Sequence, residues 1–491
     1  MANRLFFNDI VKGRFGRRVC YTNAEKITED NILKVVSGVI GTHNLNKTAI
    51  KYLHDYYLGD QPVLYRVKTI RDDIVNKVVE NRAYEIVSFK VAQTYGEPIQ
   101  FVSLVNDADV NKSVDRFNDY ERGAGKAVRS IKCGEWQSSV GTGFQAVGFA
   151  KEGEEVPYKI TTPTPLNTFV IYSSSTEEPL LAVQELKDED DYPYLLCFSD
   201  THEFRIQNSK LVPMAVGDKV VYSKLHAFGG IPIVEFPNNQ DRLSDIELVI
   251  SMLDSINNMQ SNRMDAIEQF VQSWVKFVNC EIDEEKFQRM KMNGALVVTS
   301  NNGEGNKADV EIMSQELNQT QSQVAKDDLW DSVLSISAIP NKQGNTGGDT
   351  QGAVELRNGW DFSKSRAKLK DPFVIEAEKA LAKVKLNIIR IRKGDVALST
   401  MQFEPQINHS PQDNMQVKAQ VLSILLQAGI HPLIAIKVCG LWGDAEKTYL
   451  MSKPFLDVLY KTIEDTVPNA EEEEAKAKAI MENVNRGTVE E

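Results

Sequence analysis

The residues best equipped for chemistry in this 491-residue chain are six histidines, five cysteines, a run of acids and two glycine-centred stretches. His43, His54, His202, His226, His409 and His431 never approach one another at metal-ligand spacing, and HExxH is absent, so no metal site is expected. Gly125-Lys126 is followed by alanine where a phosphate-binding loop needs a hydroxyl, and the tract Gly344–Gly352 lacks the lysine–hydroxyl pair. Asp188-Glu-Asp-Asp191 sits among turn formers, where a solvated surface outweighs a nuclease metal site. A GxSxG nucleophile motif is missing too. The chain reads as a non-enzyme without a cofactor. Cys20, Cys133, Cys197, Cys280 and Cys439 show no CxxC spacing and are odd in number, which fits a reducing compartment.

Charge offers the remaining chemistry. At a formal −13 the whole surface is unsuited to gripping phosphates, so any contact with DNA must be local or weak. One segment runs against that balance: Lys364, Arg366, Lys368, Lys370, Lys379, Lys383, Lys385, Arg390, Arg392 and Lys393 outnumber Asp371, Glu376 and Glu378. Such a helix could face a polyanion, or its cations could pair with acids of a neighbouring element or subunit. Arg4, Lys12, Arg14, Arg17 and Arg18 make a basic N-terminal arm, expected to be solvated, with docking on an acidic partner as the alternative. Asn341–Gly352 contains no apolar residue and reads as a loop, in which Lys342, Gln343, Asn345, Thr346, Asp349 and Thr350 supply polar contacts.

The elements that must position these residues follow from periodicity, and their mixture predicts an α+β fold. Helices are expected at Thr28–Ile40, from Asn46 to Gly59 and at Asp73–Thr94, with a mixed, mostly helical stretch at Val110–Ser139. From Gly141 to Phe236 short strands alternate with turns. Ser244-Asp-Ile-Glu247 is a capping-box pattern, and an apolar stripe through Ile246, Leu253, Ile267 and Trp274 predicts one helix to Phe277, about 50 Å long. The stripe turns polar around Asn257–Arg263, which suggests cover by sister chains in a wet ring. Ala295–Thr299 and Asp309–Met313 read as paired strands, and Trp330 as a packing residue of a second helix ending at Pro340. A helix from about Ser363 to Lys393 should kink at Pro372, and Ser410-Pro-Gln-Asp413 starts a helical C-terminal region with an acidic tail. No apolar run reaches membrane-spanning length.

Tyr56-Tyr-Leu-Gly-Asp-Gln-Pro-Val-Leu-Tyr-Arg66, Val79-Glu-Asn-Arg-Ala-Tyr-Glu-Ile-Val-Ser-Phe-Lys90, Gly96-Glu-Pro-Ile-Gln100 and Phe228-Gly-Gly-Ile-Pro-Ile-Val-Glu-Phe-Pro-Asn-Asn239 together resemble tailed-bacteriophage portal proteins of the long-tailed siphophage type. The resemblance implies a portal fold: wing 1–243, stem helix 244–277, clip 278–319, second stem helix 320–340, tunnel loop 341–352, kinked tunnel helix 353–393, wing return strand 394–409, and crown with acidic tail 410–491. It also implies a ring, usually of twelve copies, at one capsid vertex of the virion, assembled in the host cytoplasm. Double-stranded DNA would pass through it in packaging and ejection. The terminase, a head-completion protein, and the major capsid and scaffolding proteins are the implied partners, without a membrane. Twelve copies of −13 carry about −156 formal charges, a field that discourages DNA from sticking to the bore. Ala353-Val-Glu-Leu-Arg357 departs from the family's commoner lysine-tyrosine ending of the loop. A DNA-packaging nuclease or ATPase, and a capsid protein without a channel, are the competing readings.

Overall fold

A computed structural model divides the chain into two units, residues 1–409 and 410–491. It describes residues 6–7, 10, 14–69, 72–105, 107–217, 219–271, 274–278, 285, 288, 309–313, 319–341, 359–409, 415–439, 441, 445 and 448–455. Helices and sheets mix along the first unit, an α+β arrangement.

After the short strand β1 (Cys20–Thr22), helix α1 spans Ile32–Tyr57 without a break. Two helices with Asn46 as a cap were expected. Asn46 lies inside α1 instead, and its amide bonds the main chain of Arg18 in both directions, at 2.9 and 2.7 Å. A tertiary partner thus uses the polar side chain that a cap would have used. Helix α2 (Arg82–Tyr95) is capped by the Asn81 side chain, so the expected helical stretch before it, Asp73–Asn81, is not helix. Strand β2 (Gln100–Ser103) leads to α3 (Ala108–Gly123) and α4 (Lys126–Val140), which are separated at Gly125, φ +68°. Glycine, lacking a Cβ, holds that left-handed conformation without strain.

The β-rich block follows the sequence expectation closely. β3 (Thr142–Phe149), β4 (Tyr158–Thr161) and β13 (Ile233–Pro237) form an antiparallel three-stranded sheet ordered β13-β3-β4. β5 (Thr168–Ser173), β6 (Pro179–Lys187), β7 (Pro193–Phe198), β8 (His202–Gln207) and β12 (Ser223–Leu225) join β1 in the order β1-β5-β6-β7-β8-β12, with β9 (Lys210–Leu211) also on β8. β10 (Met214–Val216) and β11 (Lys219–Val221) make a hairpin. The central strands are buried on both faces. Ile171, Leu181, Val183 and Cys197 pack under Ile32, Val35 and Val39 of α1, while their sequence neighbours Val170, Ala182 and Phe198 pack on Phe144 and Ile233 of the other sheet. Successive strand residues point to opposite faces, so a near-continuous apolar run is what two covered faces require.

Next come α5 (Ile250–Val271), the antiparallel pair β14 (Trp274–Val278) and β15 (Asp309–Met313), and α6 (Gln319–Ile336). Two helices, α7 (Trp360–Ala367) and α8 (Asp371–Arg392), then replace the expected kinked one. Pro372 sits in the first turn of α8, where its missing N–H costs nothing, so it starts a helix rather than bending one. α8 is the central helix of the largest core, with Val374, Leu381, Ala382, Val384, Ile388 and Ile389 fully or almost fully buried. β16 (Phe403–Gln406) returns to pair with β2. In the second unit the described helices include α9 (Met415–Gln427) and α10 (Pro432–Cys439), with Ile424, Ile434 and Val438 exposed. The cap expected at Ser410–Asp413 lies outside the described residues.

Candidate functional site

The helix expected to run from Ser244 to Phe277 was the element on which function hinged, and its geometry differs from expectation at both ends. Ser244 and Glu247 do form the capping box: the Glu247 carboxylate accepts from Ser244 N at 3.1 Å, and the Ser244 hydroxyl accepts from Ile246 N at 3.2 Å. The turns that follow are tight, with Val249 N bonding Ile246 O and Met252 N bonding Val249 O, so regular helix begins only at Ile250. At the far end Trp274 stands on β14 opposite Met313. The alternation Trp-Val-Lys-Phe-Val suits a strand, and the partner at Asp309–Met313 decides the contest with helical periodicity. Asp309–Met313 therefore pairs with β14, and Ala295–Thr299 lies outside the described residues. At 22 residues α5 is about 33 Å long.

The basic arm is not solvated at Arg17. That residue is 5% exposed and gives a 2.5 Å ion pair to Glu247, whose same oxygen accepts from Gly16 N at 2.9 Å. Burial pulls the Arg17 guanidinium below its ordinary pKa and pushes the Glu247 carboxyl above its own, each opposed by the other's charge. Phe7, 1% exposed, packs on Tyr52 nearby.

The polar midsection of α5 is covered by the chain itself. Asn257 accepts from Glu80 N at 2.8 Å, Ser261 from Val78 N at 3.0 Å and Asp265 from Asn76 N at 2.6 Å. Arg66 reaches both Asn262 and Asp265 at 2.8 Å, and Lys68 also pairs with Asp265. On the side of α6, Arg263 donates to Gln323 at 2.8 Å, and Lys326 reaches Gln260 at 3.2 Å and Glu80. Sister chains are thus not needed to satisfy Asn257, Ser261 and Asp265. Ile246 and Leu253 are buried in the chain's own core, whereas Ile267 is 41% exposed beside Met264 at 39%. Trp330 of α6 is partly buried, with the Arg82 guanidinium 4.4 Å over its ring.

The basic residues divide. Arg366 and Lys368 are exposed and Lys364 is half-buried, but Lys370 turns its amine inward, 5.8 Å over the Tyr95 ring, without a hydrogen-bond partner. Burial pulls its pKa down to about 8, against the pull of Asp245 and with the help of Lys90. The enclosed amine of Lys370 is therefore not offered to a polyanion. Lys379 pairs with Glu404 at 3.0 Å. Lys385, fully buried, pairs with Glu121 at 2.7 Å, and Lys126 bridges Glu121 at 3.1 Å to Glu378 at 2.8 Å. Burial disfavours the Glu121 carboxylate, yet Lys385 and Lys126 together hold its pKa at about 2. Two cations and two carboxylates make this core cluster neutral. Sequence reading offered pairing with acids of a neighbouring element but named no partners; the signal was that Glu378 and Lys385, two turns apart, both lie on a face otherwise apolar.

The loop residues Lys342, Gln343, Asn345, Thr346, Asp349 and Thr350 lie outside the described residues. Among the described residues no His/Cys/Asp/Glu group could hold a metal ion, and no helix is long and apolar enough to cross a membrane.

Residues 38–433 match the family described as phage portal protein, SPP1 Gp6-like. That span covers most of the chain. The protein belongs to the phage portal family. Portal proteins of this family are structural components of the phage capsid rather than enzymes. Two solved structures are similar to this portal family member: the neck of an empty GTA particle computed with C6 symmetry (TM-score 0.44, 12% identity, covering 73% of this chain and 90% of that one) and the neck of a native GTA particle computed with C12 symmetry (TM-score 0.43, 12% identity, 73% and 89%). A search of curated proteins returns no significant match.

Proposed function

We propose that copies of this portal protein close into a ring, twelve in the family's usual plan, around an axial channel through which double-stranded DNA enters and leaves the capsid. The observation that carries the reading is the family match across residues 38–433. In this assignment residues 1–243 and 394–409 form the wing, α5 and α6 belong to the stem, the 278–319 insert is the clip that meets the terminase and later a head-completion protein, and 410–491 is the crown. The ring sits at one vertex of the virion among major capsid and scaffolding proteins, after assembly in the host cytoplasm.

Two features support it. Met264 and Ile267 leave apolar surface on the stem helix that a neighbouring copy would cover. The chain's formal −13, repeated around a ring, keeps duplex contacts short-lived, so DNA slides. The tract Asn341–Gly352 is assigned to the bore, with Lys342, Gln343, Asn345, Thr346, Asp349 and Thr350 meeting the duplex.

Oligomeric mass and negative-stain imaging of purified protein test the ring, with particles bearing a central hole expected and monomers under every assembly condition counting against it. Deleting Gln343–Asp349 is expected to impair DNA packaging in a phage assembly assay. Packaging at the parental level would remove the loop from the mechanism.

A further inference from the structure

Two limbs of chain, residues 61–68 and 76–81, lie along α5 and are joined at their base. Gln61 Nε2 donates to Asn81 Oδ1 at 3.1 Å and to Tyr56 O at 3.1 Å, while Asn81 Nδ2 donates to Tyr57 O at 2.9 Å. This base touches the last turn of α1 and the start of α2. From it the second limb runs beside α5 in rungs: Glu80 N on Asn257, Val78 N on Ser261, Asn76 N on Asp265. Every second amide of the limb meets every fourth side chain of the helix, in opposite directions.

The match is geometric. Two extended residues advance about 6.6 Å and four helical residues about 6.0 Å, so side chains one turn apart can serve alternate amides of an extended segment for a few rungs before the mismatch accumulates. Main-chain amides are alike, so a ladder of this kind could slip by one turn. Its far end forbids that. Asp265, 4% exposed, takes Asn76 N at 2.6 Å, Asn76 Nδ2 at 3.0 Å, Arg66 at 2.8 Å and also Lys68. Glu268 accepts the same Asn76 amide at 2.8 Å. At the base, Asn257 donates to Gln61. A one-turn slip would set the Asn76 amide group against Ser261 and part the buried Asp265 carboxylate from the Asn76 side chain, Arg66 and Lys68.

We propose that Asp265 is the positioning residue that pins α5 at one axial setting against both limbs, and that the ladder ties this setting, through Gln61 and Asn81, to the ends of α1 and α2. The limbs and α5 open and close as one unit. The proposal concerns the folded chain and stands or falls independently of ring formation.

Hydrogen exchange of the full chain tests it. In Asp265→Ala the amides of Asn76, Val78 and Glu80 should exchange faster together, by about tenfold, while those of α8 stay as protected as before. Asp265→Asn keeps an acceptor for Asn76 N and should hold Val78 and Glu80 to within about threefold of the parent. Acceleration at Asn76 alone overturns the proposal, as does equal loss of protection in α8. Should Asp265→Ala fail to fold, Ser261→Ala replaces it: joint acceleration of the three amides supports the ladder, and a change confined to Val78 sinks it. Oligomeric mass, measured separately, reports on the portal reading.

Discussion

Arg17 and Glu247 stand 230 positions apart in the chain and 2.5 Å apart in the fold, both buried. The N-terminal arm thereby completes the capping box that opens the segment leading to α5. Replacing Arg17 by alanine strands a buried carboxylate, and chemical denaturation should show a loss of about 3 kcal/mol. Burial then acts on Glu247 unopposed by Arg17 and raises its pKa further, so the loss should shrink as pH falls and the carboxyl protonates. A loss independent of pH would mean that Arg17 acts by packing alone.

His409 joins two elements far from it in sequence. Its Nε2 lies 2.8 Å from the Asp371 carboxylate at the start of α8, and its Nδ1 lies 3.0 Å from Gln93 O of α2. Burial alone would lower the imidazole pKa, but the hydrogen bond and charge of Asp371 outweigh it and the net shift is upward. A raised folded-state pKa gives stability that is complete below the unfolded value of about 6.5 and is lost as pH rises through the folded value. Thermal melts across that window should show this loss in the parent and lack it in His409→Gln.

Lys370 costs the fold stability. Its amine is enclosed without a hydrogen-bond partner, and its pKa of about 8 lies below that of a free lysine. Lys370→Met should stabilise the chain at neutral pH, on the order of 2 kcal/mol. Because the folded pKa is depressed, the penalty is complete below pH 8 and fades as pH climbs toward the unfolded value near 10.5, and the gain from methionine should fade with it. Destabilisation by methionine at neutral pH would show that the charge is needed.

Ile267 separates folding from assembly. It is 41% exposed on α5. Ile267→Asp should change the stability of the single chain by less than about 0.5 kcal/mol. In the proposed ring the same change buries a charge against a neighbour and should prevent closure. Rings formed at the parental yield would take this face out of the interface.

Where local pattern and tertiary environment agreed, the chain was readable. The β-rich block from Gly141 to Phe236 was legible because alternating or continuous apolar runs ended at turn residues. Ser244–Glu247 was legible as a cap because its geometry is local. The 73–81 segment was misread as helix because Ile74 and Val78 keep helical spacing, yet Val78 and Glu80 give their amides to α5. For Lys385 the sequence left open a polyanion or an acid of a neighbouring element, and only its burial against Glu121 decides for the acid.

By itself the sequence determined the α+β class, which depends on periodicity, and the portal family, which depends on runs of residues adjacent in the chain. The tertiary structure decided which polar groups meet. Arg17 with Glu247, Asp265 with Asn76, and Lys385 with Glu121 each join residues that no period links. A buried charge must find its counterpart wherever the fold brings one, and that pairing is fixed by packing in space rather than by spacing along the chain.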